Sequence, residues 1–200
     1  MDVVSKHPDL DNIWKNFIKK KNYTYEHSLL ISYFGCAAAS KMEWHSQMTH
    51  LKICLASFFH DITLDDPELS KIQDVNDPNL KNFTQQQVKA YKEHTLRAVD
   101  ILTKINGLPP DVDVIVAQHH ERIDGRGFPR GLSFNRIAPM SAFFIVVHDF
   151  VHQLYDRDFN SVEREKVLNQ FSKKYYKGAF KQAVDALASV FKSKSFKKLG

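Results

Sequence analysis

The sequence predicts an all-α fold in one domain. Most of its apolar residues recur every three or four positions, which is the period of an amphipathic helix. Glycine and proline interrupt that pattern at points that suit helix ends. The β-branched run at 145–147 is compatible with a strand, but no second strand pattern accompanies it. With 200 residues, the chain is long enough for one domain with a substantial core.

In the first part of the chain, the apolar spacing predicts helices over about 25–44 and 50–61. Asp65-Asp66-Pro67 breaks the second helix or follows soon after its end, and the polar segment 69–83 is expected to be a loop. Thr84 is a plausible N-cap, and Gln87 stands where the return partner of a capping box is required. We therefore expect a helix from this point to about 105, before Gly107, Pro109 and Pro110.

In the second part, 111–120 is expected to be a short apolar helix and 124–135 a glycine-rich loop. The segment 137–155 is a very apolar helix, another begins at Asn160 with Glu163, and the last covers about 175–191. The expected organisation is a single domain, 1–200. It would comprise an N-terminal helical extension (1–22), a core (23–159) and C-terminal helices (160–200).

Composition limits the environment and the partners. The polar N-terminus does not resemble a secretory signal, and no apolar run is long enough for a membrane span, so a cytoplasmic protein without a membrane partner is expected. Cys36 and Cys54 lie in apolar stretches and are interpreted as reduced, buried thiols, with a disulfide as the less favoured alternative. The net charge is +5, but no recognised nucleic-acid-binding motif accompanies the lysine clusters, so no nucleic-acid partner is expected.

Histidines and aspartates form the most informative pattern. They occur beside apolar side chains on five segments, as His27, His60-Asp61, His94, His119-His120 and Asp149. Taken alone, each has an ordinary explanation: a buried histidine in the core, a helix end, or an aspartate paired with an arginine or a cap. Taken together, several buried imidazoles and carboxylates are costly unless shared cations compensate them. Neutral imidazoles with carboxylates suit divalent transition metals.

These segments carry a family resemblance. The chain resembles the HD-GYP family of HD-domain metal-dependent phosphohydrolases in Phe59-His60-Asp61-Ile62, in 83–94 with its His94, and in the long motif 119–132. The likeness continues through Ile137-Ala138-Pro139 to Val147-His148-Asp149. It covers about 25–159, and the long motif is the specific part.

The resemblance implies hydrolysis of cyclic di-GMP, a bacterial second messenger, by a hydroxide shared between two divalent metals. Iron is the expected metal, with manganese as an alternative. One ion would take His27, His60, Asp61 and Asp149, and the other would take Asp61, His94, His119 and His120. Members with three metals have a glutamate one helical turn before the first histidine. Tyr23 stands there in this chain, so two metals are expected.

The resemblance also suggests roles for the long motif. Asp61, Glu121 and Asp124 are the expected catalytic residues, the last two as acceptors that hold imidazole N–H groups. Arg122, Arg126 and Arg130 are expected to contact phosphate or guanine, although each is equally explained as an exposed loop arginine.

Two departures from the family favour alternatives. Leu64 stands where the family has a lysine that helps to bind phosphate, and Phe128 replaces the tyrosine of the family's name. The main alternative is a catalytically degenerate domain that binds metal or cyclic di-GMP and acts through a partner such as a diguanylate cyclase (GGDEF) domain. A further alternative is a hydrolase for another nucleotide.

Overall fold

The computed structural model describes residues 23–155, 157 and 161–192. The predicted N-terminal extension, Asn160 and the lysine-rich segment 193–198 lie outside the described residues. Within the described ranges the chain forms seven α-helices and three short 3₁₀ turns, without any strand, which confirms the predicted fold class. The helices are α1 (Tyr23–Ala39), α2 (Gln47–Phe59), α3 (Gln85–Leu102), α4 (Val112–Gln118), α5 (Pro139–Tyr155), α6 (Ser161–Lys174) and α7 (Gly178–Lys192).

Helix α5 is the centre of the core. Its apolar residues point in nearly all directions, and it packs against α1, α4, α6 and α7. The run 145–147 is part of this helix and is buried throughout, so burial on every side explains its β-branched composition better than a strand does. None of the helices among the described residues combines the length and apolarity that a bilayer span requires.

Local sequence signals fix several helix ends. The Thr84 side chain accepts a hydrogen bond from the Gln87 backbone N–H, and the Gln87 side chain accepts one from the Thr84 backbone N–H. This is the predicted capping box at the start of α3. The polar segment before it is not a plain loop, since it contains 3₁₀ turns at Leu69–Lys71 and Pro78–Asn82. A second, smaller apolar cluster lies under that segment.

Helices α1 and α2 form an antiparallel hairpin at one side of α5. Cys36 lies opposite Cys54, and Ser40 lies opposite His50, so positions later in α1 meet positions earlier in α2. The hairpin places His27 in α1 near His60, which is the C-cap residue of α2.

Candidate metal centre

Side chains from five segments converge into two adjoining groups of possible metal ligands. The first group is Asp61, His94, His119 and His120, and the second is His27, His60 and His148. In each group the potential ligand atoms all lie within 4.8 Å of one another, and every residue is buried. The structure therefore brings together six of the seven predicted ligands and adds one that the sequence did not predict.

In the first group, hydrogen bonds to backbone carbonyls decide the tautomers. His94 Nδ1 lies 2.5 Å from the carbonyl oxygen of Tyr91, and His119 Nδ1 lies 2.7 Å from that of Val116. A carbonyl oxygen only accepts, so each Nδ1 must carry the proton and each neutral ring presents a bare lone pair at Nε2. These two Nε2 atoms are only 3.2 Å apart.

Asp61 completes this convergence of acceptors. Its Oδ1 lies 3.4 Å from His94 Nε2 and 3.8 Å from His119 Nε2, and its Oδ2 lies 3.4 Å from His60 Nε2 in the second group. One carboxylate thus faces both groups. Several lone pairs that face each other in a buried space repel one another, and a cation between them removes that cost.

The second group shows the same property. His60 Nδ1 donates to the carbonyl oxygen of Ser57 at 2.9 Å, so the neutral ring presents a lone pair at Nε2. The Nε2 atoms of His27 and His60 and the Asp61 Oδ1 are buried and have no hydrogen-bond partner among the described residues. Buried polar atoms are nearly always satisfied, so unsatisfied acceptors clustered in one place fit an ion-binding site.

Burial favours the neutral form of five of these imidazoles. Loss of solvent lowers the pKa of His27, His119, His120 and His148 well below the usual value, and it also lowers the pKa of His94. The positive charges of neighbouring histidines act in the same direction. A neutral imidazole is the form that binds a metal, so the electrostatics fit this chemistry.

The structure corrects the prediction for Asp149. Its carboxylate accepts hydrogen bonds from the Tyr175 hydroxyl, the Lys174 ammonium group and the Gln153 side chain, and it belongs to neither ligand group. His148 occupies the second group instead, with its ring centroid 4.9 Å from that of His27. Consecutive residues on a helix point about 100° apart, so only one of this pair faces the centre.

Glu121 also differs from its expected role. It is buried, but its two carboxylate oxygens accept the backbone N–H groups of Arg130 at 2.8 Å and Leu132 at 2.7 Å, not imidazole N–H groups. It therefore closes the glycine-rich loop onto the residues that follow the double histidine. A charged acceptor for two backbone donors is a strong local constraint.

Asp124 is likewise not an imidazole acceptor. It is exposed, and it accepts hydrogen bonds from the Arg122 guanidinium and from the backbone N–H of Arg126. Arg122 additionally forms an ion pair with Asp74. The side chains of Arg126 and Arg130 are exposed at the surface. The three arginines thus lie on the loop beside the centre.

The two positions that depart from the family are both buried. Phe128 stacks on His120, with ring centroids 4.5 Å apart and an interplanar angle of 15°. Leu64 is 9% exposed and belongs to the smaller apolar cluster together with Phe128 and Tyr91. Phe128 therefore supports a ligand ring, whereas Leu64 adds apolar packing next to Asp61.

Known proteins resemble this chain in sequence and in fold. The family model described as HD domain matches residues 39–176. The cyclic di-GMP phosphodiesterase PA4108 of Pseudomonas aeruginosa is 26% identical over 172 residues, which cover 82% of this chain and 39% of that protein. The chain thus spans about two fifths of the length of this relative.

Among solved structures, the HDG"Y"P protein Bd1817 from Bdellovibrio bacteriovorus matches with a TM-score of 0.59. The sequence identity is 20%, and the match covers 84% of this chain and 52% of that one. This likeness supports the helical fold described above.

Proposed function

Because this chain belongs to the HD-domain family, we propose that it is a member of the HD-GYP branch, a phosphodiesterase that hydrolyses cyclic di-GMP with two divalent metal ions. The observation that carries this proposal is the shared carboxylate of Asp61, which faces two adjoining groups of buried lone pairs. The relative from Pseudomonas aeruginosa, whose name gives this substrate, supports the choice of cyclic di-GMP.

The ligands divide between the two ions as the two groups suggest. His27, His60 and His148 would hold one ion, His94, His119 and His120 would hold the other, and Asp61 would contact both. This set contains nitrogen and oxygen donors without thiolate, which suits iron or manganese. A pair of such ions supplies Lewis acidity toward phosphoryl oxygens and makes water a nucleophile near neutral pH.

The chain's own residues supply orientation and charge. Backbone carbonyls hold the rings of His60, His94 and His119 with Nε2 directed inward, and such outer contacts fix ligand geometry. Glu121 fixes the loop that carries Arg122 beside the centre. The Arg122 guanidinium binds Asp124 and Asp74, so it would offer its fork of donors to phosphate in exchange for those carboxylates.

A cleft beside the loop that follows the double histidine would take part of the substrate. It has a volume of about 240 Å³ and is lined by Arg122, Ile123, Asp124 and the 174–176 segment. Lys174 would provide positive charge, and the exposed ring of Tyr176 would provide a surface on which a base stacks, whereas Tyr175 is buried. Asp149, which binds Lys174 and Tyr175, would then organise this cleft and not a metal.

A second candidate is a regulatory module that binds metal and cyclic di-GMP without turnover. The burial of Leu64 favours it, because an apolar side chain stands where the family's phosphate-binding lysine is expected. Loss of one cation at a phosphate site costs about 10²- to 10³-fold in rate, by analogy with loss of one oxyanion donor. Turnover decides between the two candidates.

The experiment is a cleavage assay on anaerobically purified protein loaded with Fe(II) or Mn(II). We expect chromatography to show conversion of cyclic di-GMP to a linear product, and elemental analysis to show two ions per chain. Asp61→Asn removes the shared charge at nearly constant volume and is expected to abolish both results.

The matched control is Asp185→Asn, an exposed aspartate that forms an ion pair with Lys181 on the same helix. It should leave both turnover and metal content unchanged. Two bound ions without cleavage would favour the regulatory module, and a protein that retains no metal would contradict both candidates.

A further inference from the structure

The crossing of α1 and α2 brings two cysteines together. Gly35 makes the crossing close, since a Cβ atom at that position would lie only 2.7 Å from Cγ2 of Ile53. Cys36 follows this glycine in α1 and Cys54 follows that isoleucine in α2. Their Sγ atoms are 3.5 Å apart, and both thiols are reduced and only partly buried.

The surroundings distinguish the two thiols. Cys54 Sγ accepts a hydrogen bond from the Ser32 hydroxyl at 3.1 Å and also faces the Cys36 thiol. The Cys36 thiol, together with the Ser32 hydroxyl and His50, lowers the pKa of Cys54 to about 6. The pKa of Cys36 is raised, first because it shares a hydrogen bond with Cys54 and then because of burial. Cys54 is thus the thiol that more readily becomes the nucleophilic thiolate.

We propose that Cys36 and Cys54 are an oxidisable dithiol that hydrogen peroxide converts into an intramolecular disulfide between α1 and α2. The proposal is independent of the metal centre, because neither cysteine belongs to the two ligand groups. It favours the alternative that the sequence analysis placed second to reduced, buried thiols, since the structure leaves both cysteines partly accessible and places them side by side.

The chemistry has two balanced steps. The Cys54 thiolate attacks one peroxide oxygen, the O–O bond breaks, and the departing hydroxide takes up a proton, which leaves a sulfenic acid and one water. The Cys36 sulfur then attacks the sulfenic sulfur, its S–O bond breaks, and the thiol proton leaves with the hydroxyl group as a second water. Two electrons pass from the two thiols to the peroxide.

The new bond would connect residues 18 positions apart. A disulfide has an S–S distance of about 2.0 Å, so the sulfurs, now 3.5 Å apart, need to approach by about 1.5 Å. The disulfide would also join these two residues in the unfolded chain, which lowers the conformational entropy of the unfolded state. The oxidised protein should therefore be more stable than the reduced one. For a chain of this size we expect a rise in Tm of roughly 5 to 10 °C.

The test uses the full, reduced chain, freed of metal with a chelator and treated with stoichiometric hydrogen peroxide. Peptide mass spectrometry is expected to find Cys36 and Cys54 linked within one chain, with loss of two hydrogen atoms, and a thiol reductant should reverse the bond. Unreacted thiols, over-oxidation without a link, or a disulfide between two chains would each overturn the proposal.

Single variants test the roles of the two sulfurs. In Cys36→Ser, a sulfenic acid should accumulate at Cys54 and be trapped by a cyclic dione reagent. In Cys54→Ser, Cys36 should react more slowly, because it lacks the Ser32 hydrogen bond that Cys54 accepts. Circular dichroism checks that both variants fold, and alanine variants serve if serine disturbs the crossing. Equal rates in the two variants would contradict the assignment of Cys54 as the attacking thiol.

Discussion

The Tyr23 hydroxyl lies between two imidazoles, 3.3 Å from His27 Nδ1 and 2.9 Å from His152 Nδ1. His60, His94 and His119 each use a backbone carbonyl to hold Nδ1, whereas the Nδ1 contact of His27 is with this hydroxyl. If Tyr23 donates to His152, its oxygen accepts the His27 Nδ1–H, and His27 Nε2 is left as the lone pair that faces the second group.

We therefore predict that Tyr23→Phe weakens metal binding about tenfold or more, the usual cost of losing a contact that orients a ligand. The measurement is a titration with Mn(II) against a competing chelator, which does not depend on turnover. Tyr33→Phe, at a residue that is 54% exposed, is the matched control and should leave the affinity unchanged. An equal affinity for both variants would show that the hydroxyl does not orient His27.

Leu64 shows why one departure from the family cannot simply be reversed. We predict that Leu64→Lys lowers the free energy of unfolding by about 2 kcal/mol, because it places a charge in the cluster that contains Leu69 and Ile72. Urea unfolding measures the change. Leu64→Met keeps the apolar character and should cost less than about 1.5 kcal/mol. A lysine variant as stable as the methionine variant would mean that the position opens to solvent.

At the scale of elements, the loop after the double histidine depends on a close return of the backbone. A Cβ atom at Gly127 would lie 2.4 Å from the backbone N of Arg122 and 2.5 Å from the backbone O of His120. The Phe128 backbone N–H donates to that same oxygen at 3.1 Å. The loop is therefore packed against the backbone that directly follows the ligand His119-His120. Glu121 holds the far end of the loop through the backbone N–H groups of Arg130 and Leu132.

Gly127→Ala is accordingly predicted to lower the free energy of unfolding by about 3 kcal/mol or more, because the contacts are with backbone that cannot rotate away. Gly107→Ala is the control: its φ is +80°, but nothing lies within 4 Å of an added Cβ, so only about 1 kcal/mol of backbone strain is expected. Chemical denaturation of both variants measures the difference, and similar losses would contradict a steric role for Gly127.

The elements also show which features the sequence could predict. The capping box at Thr84 was predictable because its partners are three residues apart. The partners of Glu121 are backbone groups nine and eleven residues away, which depend on the path of the loop. The choice between His148 and Asp149 required the rotation of α5 about its axis. That helix is apolar on nearly every side, so its composition does not indicate which side faces the histidines.

At the scale of the whole molecule, the core and the ligand cluster are parts of one structure. His27, His60, His94, His119 and His148 are each at most 3% exposed, and they lie where the hairpin, α3, α4 and α5 meet. A core that contains this many ionisable groups must be most stable when they are uncharged or bound to an ion. Proton binding and metal binding are therefore expected to affect global stability and not only activity.

The pH dependence of the metal-free protein tests this coupling. Burial lowers the pKa of five histidines, His27, His94, His119, His120 and His148, while an unfolded chain titrates near 6.5. Below pH 6.5 the unfolded state thus binds more protons than the folded state, so stability falls as pH falls. Each histidine that stays neutral in the fold contributes a loss of about 1.4 kcal/mol between pH 7.5 and 5.5.

We predict that urea unfolding with a chelator present shows a steep loss of stability over this range. Several such histidines together approach the roughly 5–15 kcal/mol that stabilises a typical domain, so the metal-free protein should be largely unfolded near pH 5. His148→Gln removes one buried imidazole, so unfolding should take up about one proton fewer and stability should change less steeply with pH. A stability that stays constant from pH 7.5 to 5.5 would mean that the imidazoles take up protons in the folded protein. The metal-free protein would then not hold its histidines in the neutral form.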